Sequence, residues 1–84
     1  MKVEDVVNFK HPKVKQKKWM GTPPEKCDFC HREIHNVFID GKTIHGPWAN
    51  MCLMCHMVNG TGIGTGCGQK YMKQDNGDWL KVEG

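Results

Sequence analysis

Four cysteines in two CxxC pairs, Cys27 with Cys30 and Cys52 with Cys55, are the residues of this chain with the clearest chemistry. Each pair is spaced to chelate one ion. The 21 residues between the pairs (31–51) suffice for a hairpin that brings four thiolates into one tetrahedron. Other chemistries share these letters. CLMCH (52–56) has the form of a covalent haem attachment, and CxxC alone can be a redox dithiol. Haem requires an axial partner and an apolar pocket, and leaves Cys27 and Cys30 unexplained. A redox CxxC usually opens a helix in a larger βαβ domain, for which this chain lacks both length and pattern. Iron could use the same four sulfurs. One structural zinc ion held by Cys27, Cys30, Cys52 and Cys55 accounts for every member of both pairs, and is the expected cofactor.

The elements that must position these sulfurs belong to a chain of 84 residues, 38% apolar, with ten glycines. That length is one domain whose apolar core alone gives marginal stability. A structural zinc, contributing on the order of 10 kcal/mol of apparent folding free energy in finger peptides, supplies the missing staple. Metal removal is therefore expected to unfold residues 27–60. The opening MKVEDVVNFKHPK carries Glu4 and Asp5 and has no long apolar run, so neither export nor a membrane segment is expected. A cytoplasmic protein follows as the expectation. In a reducing compartment cysteines serve as metal ligands or catalysts rather than disulfides.

The formal charge of +3 is unevenly placed: residues 1–26 hold seven lysines against Glu4, Asp5 and Glu25. KHPKVKQKKW (10–19) and the following GTPP predict a basic, flexible arm over 1–26, with the zinc-binding domain over 27–84. Lys10, Lys13, Lys15, Lys17 and Lys18 are candidate phosphate contacts, and Trp19 can stack on a base or pin the arm to the domain. Five phosphate contacts on duplex DNA imply a log–log salt slope of about −4.5. Four thiolates and one dication lower the formal total from +3 to about +1, so global charge does not argue for nucleic acid.

Within residues 27–84, Asp40-Gly41 in NVFIDGKTIHG predicts a two-residue hairpin turn pairing Ile39 with Lys42. ANMCLMCHMVNG predicts a short helix capped by Asn50 and stopped by a left-handed Gly60. GTGIGTGCG (60–68) matches no phosphate-loop motif, and reads as a strand or loop packed closely against an aromatic ring, or as a backbone nest for an anion. QKYMKQDNGDWLKVEG predicts a second hairpin turning near Asn76-Gly77. The expected fold is a small metal-stabilised α+β domain: a treble-clef-like zinc knuckle, a β-hairpin and a short helix, then a C-terminal β-hairpin. A zinc ribbon is the alternative. It would place both pairs on hairpin turns, commonly with Gly after the second Cys, where this chain has His31 and His56. Cys67 is expected to be a free thiol, and His31, His35, His45 and His56 to lie outside the ligand set.

CxxC, a DGK hairpin, GPWANMC, CxxCH and GIGTGCGQKY together resemble small zinc-binding proteins encoded by bacteriophages, over roughly residues 27–84. The resemblance implies a zinc-binding fold expressed in a bacterial cytoplasm and leaves the activity open. Asn50, Cys52, Cys55 and His56 more loosely resemble the treble clef of HNH nucleases. Those enzymes place a catalytic His after an acid on the preceding hairpin. VFIDGKTIH has no such pair, and His45 is wrongly placed. The expected function is thus a non-enzymatic zinc-stabilised module, a small regulator or inhibitor binding a host or phage macromolecule. Nucleic-acid binding through the lysine arm is the alternative, a degenerate nuclease is the less favoured one, and neither a membrane nor a small-molecule substrate is expected.

Overall fold

In a computed structural model that describes residues 17–84, four strands form one antiparallel sheet, joined by one short helix. The elements are β1 (Val37–Lys42), β2 (Trp48–Met51), α1 (Leu53–Asn59), β3 (Gly68–Lys73) and β4 (Trp79–Glu83), and the strand order is β2-β1-β3-β4. The chain is α+β, as its patterning predicts. Among the described residues no helix is long and apolar enough to cross a membrane.

The aromatic core lies on one face of the sheet, with buried Ile39 and Met51 on the other. Phe38 of β1 and Tyr71 of β3 are cross-strand partners whose rings stack at 5.3 Å with 12° between planes. Trp79 of β4 lies 5.1 Å from Phe38. Trp19 closes the group from above, edge-on to Phe38 at 5.1 Å and to Tyr71 at 5.2 Å. Edge-to-face and offset pairs of this kind add about 0.5–1.5 kcal/mol each beyond the area they bury. Residues 17–19 run antiparallel beside β4: Lys81 N donates to Lys17 O at 2.7 Å and Trp19 N to Trp79 O at 2.8 Å. The expected role of Trp19 as a pin is thus the one the structure displays.

The second hairpin forms where Asn76-Gly77 predicts it. Gly77 takes φ +94°, Gln74 N donates to Asp78 O at 2.7 Å, and the Asn76 side chain accepts from Asp78 N at 2.9 Å. The first hairpin exists but turns elsewhere. Asp40-Gly41 continues β1, with Asp40 opposite Asn50 and Gly41 opposite Ala49, and the chain reverses over residues 43–47. There Thr43 Oγ1 donates to Pro47 O at 2.7 Å and Gly46 takes φ +109°. Gly41 answers a different need: a Cβ on it would stand 3.2 Å from Cys67 O, a tight contact that would press the Cys67 carbonyl away, so glycine eases the close approach of β1 to the start of β3.

The helix also starts later than expected. Asn50 belongs to β2, and the N-cap is Cys52, whose Sγ accepts from Cys55 N at 3.4 Å. At the far end Gly60 is extended (φ −83°), not left-handed. Glycine is required there because a Cβ would collide with the His56 imidazole. The remaining glycines of 60–68 close a tight loop, with Gly64 N donating to Gly68 O at 2.8 Å and Cys67 N to Gly64 O at 2.9 Å. Close packing against the aromatic His56 imidazole explains Gly60, as the sequence predicts, and close packing against the Gly62 carbonyl explains Gly68.

Candidate metal centre

Each cysteine pair is held by its own local structure. Cys27 and Cys30 occupy a tight knuckle: Cys27 N donates to Arg32 O and His31 N to Cys27 O, both at 2.9 Å, while Phe29 N points to Cys27 Sγ at 3.4 Å. The chain leaves through His31 at φ +62°, a conformation glycine adopts without strain. Lys26 and Glu33 bridge on either side of the turn. Cys52 and Cys55 cap and begin α1, where unpaired helix N–H groups favour negative sulfur.

What joins the pairs is Asp28. Its N–H donates to Asn50 O at 2.9 Å, and its carboxylate accepts from Asn50 N at 2.8 Å. The knuckle is thereby tied to β2 two residues before Cys52. The four ligand atoms lie within 4.8 Å of one another, and Cys30 Sγ stands 3.8 Å from Cys52 Sγ. For Zn–S bonds of about 2.3 Å, a tetrahedron has sulfur–sulfur edges of about 3.8 Å. Cys27 is buried, Cys52 and Cys55 are half-buried, and Cys30 is exposed.

The thiols do not share one acidity. Burial pushes Cys27 up, but bonds from the backbone of Cys30, Cys52 and Phe29, and from the Cys55 side chain, outweigh it and bring Cys27 down to about 6. Cys55 is pushed up to about 12 by burial, by bonds with the other three thiols and by the negative charge of Cys27. Four crowded thiolates without a cation repel, and a dication removes that penalty. The donor set suits a thiophilic ion such as zinc.

Among the described residues these four form the one group of three or more His, Cys, Asp or Glu able to share an ion. His35 stands 3.5 Å from Glu33, His45 lies on the β1–β2 turn near Phe29, and the His56 imidazole stands 3.1 Å from Gly62 O. Cys67 is outside the group; its carbonyl accepts from Lys42 N at 2.8 Å. Asn50, singled out by the nuclease pattern, contributes backbone bonds to Asp28. Of the candidate phosphate contacts, Lys10, Lys13 and Lys15 lie outside the described residues. Lys17 and Lys18 run beside β4, with Lys18 Nζ 3.9 Å from Asp78, and the Trp19 ring is packed on the core. The sequence reading missed Asp28, because its partner is 22 residues away and no local pattern announces it.

Compared with protein-family models, curated proteins and solved structures, the chain matches none. The functional reading therefore stands on the convergence of four cysteines from two separate elements.

Proposed function

We propose that Cys27, Cys30, Cys52 and Cys55 hold one structural zinc ion in a treble-clef-like arrangement, and that the domain so fixed is a non-enzymatic binding module. The observation that carries it is four sulfurs within 4.8 Å of one another, two from a knuckle and two from a helix start. The succession of knuckle, β1–β2 hairpin and α1 supports treble clef over ribbon, since only one pair sits on a turn. A shell of four protein thiolates leaves no position for water or substrate, which favours a structural ion. The resemblance to phage-encoded zinc proteins suggests a small regulator or inhibitor acting on a host or phage macromolecule in a bacterial cytoplasm.

Two measurements test this reading. Native mass spectrometry of purified protein should show one zinc per chain, and cobalt substitution should give the intense sulfur-to-metal absorption of a tetrahedral thiolate site. A Cys30→Ser, Cys52→Ser double variant should lose both; full metal retention would refute the site. For the partner, zinc-loaded protein titrated into labelled DNA and RNA should show no binding at low salt. Micromolar binding with a slope of about −4.5, abolished when Lys10, Lys13, Lys15, Lys17 and Lys18 become Ala, would replace a protein target with nucleic acid.

A further inference from the structure

The four cysteines differ in what can reach them. Cys27 is wholly buried, Cys52 and Cys55 are half-buried, and Cys30 is exposed. In a loaded centre all four are thiolates, so an oxidant dissolved in water selects among them by access. Cys30 is the sulfur it meets first.

The structure also supplies a partner for that sulfur. Cys30 Sγ stands 3.8 Å from Cys52 Sγ, across 22 residues of chain. A disulfide bond is about 2.05 Å long, so the two atoms need to close by about 1.8 Å. The backbones that carry them are already held in register without help from an ion, because Asp28 bonds Asn50 through both its N–H (2.9 Å) and its carboxylate (2.8 Å). The other candidate partner, Cys27 of the same knuckle, lies inside and takes a contact from Phe29 N at 3.4 Å. The two closures also differ in consequence. A bond within either CxxC pair joins residues that are already neighbours, whereas a Cys30–Cys52 bond joins the knuckle to the start of α1, which is the connection the ion itself makes.

We propose that the thiolate centre is a peroxide-responsive switch in which Cys30 is oxidised, Cys52 closes a disulfide on it, and the ion leaves while the knuckle stays joined to α1. The Cys30 thiolate attacks hydrogen peroxide, the O–O bond breaks, hydroxide departs and a sulfenic acid forms. The Cys52 thiolate then attacks that sulfur, the S–S bond forms and a second hydroxide departs. Two thiolates have lost two electrons, one peroxide has gained them, and both hydroxides take protons from water. Only Cys27 and Cys55 remain as ligands, too few to retain zinc in a tetrahedral thiolate site. This regulation rests on the reading of the centre as a zinc site.

The test treats the zinc-loaded full chain with hydrogen peroxide, in parallel with a Cys67→Ser variant that lacks the thiol outside the centre. Zinc per chain is measured first by native mass spectrometry. Peroxide should then release the ion in proportion to the loss of two thiols. A tryptic digest should contain CDFCHR (27–32) cross-linked to the 43–70 fragment, and fragmentation should place the bond on Cys30 and Cys52 in both proteins. The oxidised, zinc-free protein should keep the helical circular dichroism signal that the reduced, chelated protein loses, and dithiothreitol with zinc should restore the starting state. Retention of zinc, bonds confined to the CxxC pairs or made to Cys67, or loss of the helical signal together with the ion would each overturn this proposal alone. A chain that carries no zinc before treatment would overturn the metal reading, and this proposal with it.

Discussion

The two ends of this molecule are held together by different physics. Around Phe38, Tyr71, Trp79 and Trp19, rings touch rings, and the structure follows from removing apolar surface from water. Around the four cysteines the buried side chains are fewer and not aromatic: Ile39, Met51 and Cys27 are inside, and α1 contributes none. Its seven residues are too few to be helical in isolation. The sheet end can form from contacts among side chains, whereas the cysteine end requires something to neutralise and gather four sulfurs. β1 belongs to both, since Phe38 faces the aromatic group while Ile39 pairs with Met51 on the strand leading to Cys52.

The sharpest test of this contrast is to remove the metal. Thorough chelation should unfold the knuckle (27–33) and α1 and abolish the helical circular dichroism signal, while the aromatic group keeps β1, β3 and β4 together, so less than the whole of 27–60 is lost. An unchanged spectrum would show that the cysteine end is held by packing after all. The converse experiment is Phe38→Ala. It should cost about 3–5 kcal/mol in denaturant unfolding while leaving one metal per chain, because the deleted ring lies outside the thiolate group. Loss of metal in that variant would mean that the two ends are a single cooperative unit.

A smaller effect isolates the glycine loop. Gly60→Ala should cost about 1–3 kcal/mol, since its Cβ meets both the His56 ring and the His56 carbonyl oxygen, and only the ring's share of that cost should vanish in a Gly60→Ala, His56→Ala double variant. Equal costs with and without His56 would place the strain in the backbone instead. The finest distinction is in acidity. Zinc binds thiolates, so loading releases every proton the free thiols still hold, and apparent affinity falls as pH falls. Cys55, at about 12, gives up a proton throughout the accessible range, whereas Cys27, at about 6, gives one up only below that pH. The plot of log affinity against pH should therefore steepen by about one unit below about pH 6, about 1.4 kcal/mol per pH unit. Calorimetry in buffers of different ionisation enthalpy counts those protons directly, and a constant count across pH 6 would remove the special acidity of Cys27.

How legible each feature was depends on the distance along the chain over which its cause acts. The ligand pairs were readable because chelation by CxxC is decided within four residues. The Asn76-Gly77 hairpin was readable because its turn satisfies itself, through Gly77 and the Asn76 side chain. Asp40-Gly41 carries the same letters as a turn, yet lies in the middle of β1. Glycine permits a turn and a close approach equally well, and the choice was made by Cys67 and Gly68, at the start of a strand that comes much later. Asn50 was plausible as a cap until Asp28 engaged its backbone from 22 residues away.

By itself the sequence determined which four cysteines converge, the α+β class and the second hairpin, because local spacing and turn chemistry suffice for these. Only the tertiary structure decided that β1 runs straight through Asp40-Gly41, that Asp28 ties the knuckle to β2, that Trp19 closes the aromatic group and that Cys30 stands exposed beside Cys52. Each of these is a contact between segments far apart in the chain. Its partner is chosen by which surfaces the sheet brings together, and no periodicity or motif in either segment specifies that.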